Sequence, residues 1–251
     1  MKTVKWIIAT TCLLLLFGCV GSIPVGSSDH KATILYFEGG SGRIVDLTHV
    51  QADNMLINRS SYYFTSQGIK LSYLEFNFTH PSIKAQVKRT TENHFQAIQK
   101  KVNSLKENGH KIIWLMGISN GAISVMHAGA CGIQDVKGLI AINPPKFTYN
   151  NYSRSGTIVD FKKIKLPILL VTHKEDHSLY KNFSNSFFKQ IFPASANAEI
   201  VIFSGGRVGS SPEATHLSQL YQHGLYGLEK EFAQTVINFI DLNGNSNTAA
   251  N

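Results

Sequence analysis

The sequence predicts a single α/β domain built on a minimal parallel sheet of six strands, with helices on both faces. Three observations carry that expectation. Six short runs rich in Ile, Leu, Val, Phe and Tyr recur along the chain, each close to uninterrupted, as in strands buried on both faces. Segments long enough for helices separate the runs, and strands alternating with helices favour a doubly wound sheet. The 251 residues are 43% apolar and 16% charged, a composition that suits one globular core of ordinary size.

The opening MKTVKWIIATTCLLLLFGCVGS stands outside that core. Two lysines, an apolar stretch from Trp6 to Phe17 and then small residues form the three parts of a secretory signal, and the apolar part is short for a membrane span. The segment LFGC resembles a bacterial lipobox, in which Cys19 is lipidated and becomes the first mature residue, although Phe17 is bulkier than the residue usual there. Ordinary cleavage nearby, leaving Cys19 as a thiol, is the other reading. Residues 1–18 are therefore expected to form the signal, 19–31 a linker, 32–242 the domain and 243–251 a frayed tail. Both readings export the protein, to the periplasm or to the cell envelope with a membrane anchor at Cys19. If Cys12 leaves with the signal and Cys19 is acylated, Cys131 stands alone and no disulfide supports the domain.

The elements follow in order. ATILYF (Ala32 to Phe37) is the first strand, and the glycine-rich FEGGSGR leaves it. LSYLEFNF (Leu71 to Phe78) is the second. TTENHFQAIQKKVNSLKENG is a helix, with Phe95, Ile98, Val102 and Leu105 at helical spacing and Gly109 as its stop. KIIWLM (Lys111 to Met116) is the third strand, and the small-residue helix GAISVMHAGA follows it after a sharp turn. GLIAIN (Gly138 to Asn143), PILLVT (Pro167 to Thr172) and EIVIF (Glu199 to Phe203) complete the set. The final helix, GLEKEFAQTVINFIDL, presents Phe232, Val236, Phe239 and Ile240 on one side. No repeat or proline-rich linker divides the domain.

The formal charge of +8 raises the question of nucleic acid, but the lysines are scattered, with short pairs only at Lys100-Lys101 and Lys162-Lys163. No basic arm or aromatic-interleaved patch accompanies them, so no nucleic-acid partner is expected. A phosphate-binding G-x-x-x-x-G-K pattern is absent, the histidines lack metal-ligand spacing, and no cofactor is implied.

Chemistry concentrates at the carboxyl ends of the strands, where ligands of open α/β sheets bind. Gly117-Ile118-Ser119-Asn120-Gly121 lies between a strand and a helix. In so sharp a turn, side chains two residues before and after the serine would collide with it or with neighbouring elements, and glycine at 117 and 121 relieves both. The Ser119 hydroxyl would then stand clear of the sheet, with the Asn120 N–H and the helix N-terminus directed at charge developing beside it. A serine nucleophile needs a base and a group to orient that base. Asp176, in HKEDHS, and His223, in YQHGLYG, lie beyond later strands; Glu175 and His216 are rivals for the two roles. His127, His173 and His177 read as surface or satisfied core residues. A second oxyanion donor is expected from FEGGSGR, at Gly40 or next at Ser41, with an ordinary glycine turn as the alternative.

Together these segments resemble the α/β-hydrolase family over roughly Ala32 to Leu242, and most closely small exported, lipoprotein-like members of unassigned substrate. FEGGSGR looks like the oxyanion loop, GISNG like the nucleophile elbow, VTHKED like the acid-bearing strand end and HGLYGLEKEF like the histidine loop and last helix. The order Ser119, Asp176, His223 matches the family's order of triad residues. The resemblance implies acyl transfer by a serine hydrolase on a small-molecule carboxylic ester or thioester. A leading antiparallel hairpin is missing, and the short crossover PPKFTYNNYSRSGTIVDFKKIKL leaves no room for a large lid, although Phe147, Tyr149 and Tyr152 could wall a modest pocket. The competing expectation is a non-catalytic envelope-binding lipoprotein on the same scaffold.

Overall fold

The computed structural model describes residues 30–42, 54–76, 83–145, 159–176, 189–209 and 220–244. One six-stranded sheet runs through them: β1 (Ala32–Phe37), β2 (Ile69–Tyr73), β3 (Ile113–Ile118), β4 (Gly138–Ile142), β5 (Ile168–His173) and β6 (Ala198–Phe203). The order is β2-β1-β3-β4-β5-β6 and every neighbouring pair is parallel, which is the doubly wound sheet expected. The helices are α1 (Leu56–Thr65), α2 (Ile83–Lys88), α3 (Glu92–Glu107), α4 (Asn120–Ala130) and α5 (Glu229–Gly244). The side chains of residues 83–85 are not described.

Both faces of the sheet are covered. Leu35 and Phe37 of β1 and Ile113 and Leu115 of β3 join Ile98, Val102 and Leu105 of α3 and Ile123 and Met126 of α4 in one core. The alternate residues Ile34, Tyr36, Trp114, Met116 and Ile118 join Leu56, Ile57 and Phe64 of α1 and Phe232, Val236, Phe239 and Ile240 of α5 in the other. A period of two sends successive strand residues to opposite faces, so a strand covered on both sides is apolar throughout. Each large aliphatic or aromatic side chain fully buried this way contributes roughly 1.5–3 kcal/mol.

Strand ends moved where pairing required it. β1 matches its expected range. β2 begins at Ile69 and ends at Tyr73, because its register with β1 pairs Ala32 with Ile69 and Tyr36 with Tyr73. β3 begins two residues later than expected and continues through Gly117 to Ile118, paired with Ile142 of β4. α5 runs to Gly244, past the Leu242 read as the domain's end. In α3, Thr91 accepts the His94 N–H at 3.3 Å as the N-cap. Its end is a Schellman turn: Gly109, at φ +85°, donates to Lys106 O, and His110 donates to Leu105 O.

The chain leaves β1 for β2 on one side and returns to β3 on the other. That reversal puts the carboxyl ends of β1 and β3 side by side, at the kind of crevice where open sheets bind ligands. No helix among the described residues is long and apolar enough to cross a membrane. Residues 1–29, 146–158 and 245–251 lie outside the described residues, and with them Cys19, the tail beyond Gly244 and the aromatics Phe147, Tyr149 and Tyr152.

Candidate active site

Ser119 caps the N-terminus of α4 with φ 53° and ψ −124°, a conformation that costs a non-glycine residue strain energy. Its N–H is tied to Ile142 O at 2.8 Å, so β4 helps to hold the turn. A Cβ on Gly117 would lie 2.4 Å from Gly121 O, and one on Gly121 would lie 2.1 Å from Phe37 O. The two glycines therefore do separate work. Gly117 lets the helix start directly on its strand, and Gly121 lets it pass against the end of β1.

The loop after β1 packs on the serine: a Cβ on Gly39 would be 3.1 Å from Ser119 Cβ and 3.7 Å from Ser119 Oγ. The Gly39 N–H donates to Glu38 Oε1 at 2.8 Å, so it is already engaged, whereas the next N–H along, that of Gly40, is the one chosen from sequence. Gly40 has φ +50° with open space around it, a conformation glycine takes at little cost. The Asn120 side chain donates to Gly40 O at 3.2 Å and accepts from Gln86 Nε2 at 3.0 Å, tying the loop to the start of α4 and to α2. The Asn120 N–H lies in the first turn of α4, where a helix offers no internal acceptor.

His223 Nδ1 is 2.9 Å from Asp176 Oδ2, and both side chains are buried. Glu175, the sequence rival, is exposed, and its N–H donates to His173 Nδ1 at 3.1 Å. His173 is a satisfied core histidine, since its Nε2 lies 3.0 Å from Gly205 O. His127 is half-buried near Cys131, with Nε2 3.5 Å from Sγ. His177 and His216 lie outside the described residues.

Sequence reasoning passed over four residues that shape this region. Asn143, at φ 41°, donates its side-chain amide to His223 O at 2.7 Å and to Gln222 O at 3.3 Å, and accepts the His173 N–H at 3.2 Å. It joins the end of β4 to the acid strand and the histidine turn together. A polar residue closing an apolar strand before Pro144-Pro145 was the signal available. Arg59 donates to Asn54 O, to Gly224 O at 2.6 Å and to Glu229 Oε1 at 2.6 Å, holding the histidine turn from α1. Glu38 is buried, and that burial raises its carboxyl above the usual range even though the Gly39 N–H, the Tyr36 hydroxyl at 3.0 Å, Arg89 and His223 all favour the carboxylate. Arg89 is fully buried behind the loop.

No group of three or more potential metal ligands occurs among the described residues. A surface cavity lined by Cys131, Asp135, Lys162 and Lys165 lies at the far end of α4, away from Ser119.

No family model matches the chain, and no curated protein matches it. Solved structures do. An esterase from Pyrococcus furiosus superposes with TM-score 0.57 at 13% identity, covering 87% of this chain and 84% of that one. A lipase-esterase related protein from Clostridium acetobutylicum gives TM-score 0.53 at 13% identity, covering 86% and 97%. Est1E from Butyrivibrio proteoclasticus, solved with ferulic acid bound, gives TM-score 0.51 at 15% identity, covering 83% and 90%. Likeness at these identities is likeness of fold, and the chain has the fold of the α/β hydrolases.

Proposed function

We propose that this protein is a serine hydrolase that cleaves a small carboxylic ester or thioester through an acyl-enzyme. The observation that carries the reading is the buried 2.9 Å contact between His223 Nδ1 and Asp176 Oδ2, in a fold whose strained turn carries Ser119. Ser119 attacks the substrate carbonyl while His223 takes its proton. Asp176 holds the imidazole in the tautomer that leaves Nε2 free to accept it. The oxyanion is received by the Gly40 and Asn120 N–H groups. His223 then protonates the leaving alcohol or thiol, and water, activated by the same base, releases the acid. The esterase and lipase-esterase descriptions of the structural neighbours support an ester as the bond cleaved.

The test is labelling of the purified protein with a fluorophosphonate, followed by intact mass. Wild type is expected to gain one probe adduct, and Ser119→Ala and His223→Ala none. A folded wild-type protein that takes up no probe overturns the reading. Export with a lipid anchor at Cys19 is the accompanying proposal, resting on residues 1–19. Cell-envelope material should yield a mature N-terminus at Cys19 bearing a diacylglycerol mass, and an unmodified N-terminus would refute it.

A further inference from the structure

One buried cation behind the oxyanion loop has no part in the reaction as written. Arg89 follows α2 and is completely excluded from solvent. Its Nη2 donates to the carbonyl oxygens of three successive residues, Glu38 at 2.9 Å, Gly39 at 3.4 Å and Gly40 at 3.3 Å. Its Nη1 donates to Ser124 Oγ at 2.9 Å, and that hydroxyl is also 2.9 Å from His94 Nε2. Burial lowers the guanidinium pKa only to about 10, so it remains a cation near neutral pH. Burial and the Arg89 charge hold His94 neutral, with a pKa of about 3.

Removing a guanidinium from water is expensive, and a fold that does so must recover the cost through well-placed acceptors. Here most of those acceptors belong to one loop. In a trans peptide the C=O and the following N–H point in opposite directions. Carbonyls of Glu38, Gly39 and Gly40 turned toward Arg89 therefore turn the N–H groups of Gly39, Gly40 and Ser41 away from it. Glu38 occupies the first of these, which leaves Gly40 and Ser41 as available donors. The cation also draws electron density toward each carbonyl oxygen and makes the opposite N–H a stronger donor. Lysine could not reproduce this, because its point charge lacks the planar fork that spans several carbonyls and a hydroxyl at once.

We propose that Arg89 is a positioning residue for the oxyanion hole, aligning and polarising the Gly40 peptide while Ser124 and His94 hold the guanidinium in place. The proposal rests on the Ser119 acyl-enzyme reading. It goes beyond that reading by assigning part of the transition-state stabilisation to a side chain that never touches substrate.

The experiment compares wild type with Arg89→Lys, Arg89→Met and Ser124→Ala in hydrolysis of a p-nitrophenyl ester. Each is also titrated with an alkyl trifluoromethyl ketone, whose serine adduct carries the oxyanion. Arg89→Lys is expected to lower kcat by about 10- to 100-fold with KM little changed, and to weaken ketone inhibition by the same factor. A folded Arg89→Lys that keeps wild-type kcat, or that loses kcat while ketone affinity is unchanged, overturns the proposal. So does a rise in KM at constant kcat, which would mean ground-state binding. Should the Arg89 variants fail to fold, Ser124→Ala decides: kcat and ketone affinity falling together by about fivefold support it, and neither moving refutes it. Wild-type protein that neither turns over ester nor takes up a fluorophosphonate refutes the hydrolase reading itself and the proposal with it. Loss confined to the variants concerns Arg89 alone.

Discussion

At the scale of single residues, the site depends on which neighbour faces inward. Asp176 and Glu175 are adjacent acids, yet Asp176 is buried against His223 while Glu175 is exposed. Asp176→Asn should therefore lower kcat by about 10⁴-fold with folding intact, and Glu175→Gln should leave it within about twofold. Steady-state kinetics on one ester separates them, and equal losses would mean that Asp176 does not orient the base. Asn143 makes a second case. Removing its side chain takes the amide donor from His223 O and the acceptor from the His173 N–H, while Gln222 O keeps the Leu225 N–H, so Asn143→Ala should cost about 1–3 kcal/mol of stability and reduce kcat as the histidine turn loosens. Urea unfolding alongside kinetics checks both effects.

At the scale of elements, α4 and the histidine turn carry the tightest constraints. Gly121→Ala would drive a methyl group into Phe37 O at 2.1 Å, backbone that cannot step aside, and should prevent accumulation of folded protein. Soluble yield and circular dichroism read this, and a stable, active Gly121→Ala would contradict the described approach of α4 to β1. Arg59 binds three elements at once through Asn54 O, Gly224 O and the Glu229 carboxylate, with both charged side chains mostly buried. Arg59→Met leaves Glu229 without its cation and should lower stability by about 2–4 kcal/mol. A double-mutant cycle with Glu229→Gln should recover part of that loss, since the stranded charge is then gone. Elements were also the scale most legible beforehand, since apolar runs and the Gly109 stop depend on residues close in sequence. Their ends were less so, because β2 and β3 begin and stop where a neighbouring strand offers a partner.

For the whole molecule, stability should depend on acid through His94. An unfolded histidine takes its proton near pH 6.5, whereas buried His94 resists protonation until about pH 3. Its stabilising contribution is thus complete above about 6.5 and is lost as pH falls toward 3, at up to ~1.4 kcal/mol per pH unit for one proton. Glu38 acts in the opposite sense: its raised carboxyl costs stability as pH rises above the value at which an unfolded glutamate ionises. Denaturant unfolding at pH 7 and pH 5 should show a smaller loss for His94→Gln than for wild type. An identical loss would mean that other groups govern the acid limb.

Sequence alone determined whatever rests on short range: the alternation of strands and helices and the glycines around Ser119. Tertiary structure decided the pairings. It brought Asp176 to His223 across 47 positions and Arg89 to Glu38 across 51. It gave Asn143 its hold on the histidine turn across 80. An arginine in KRTTENHF carries no local mark of burial, because exclusion from water is a property of every element packed around it and not of the residues beside it.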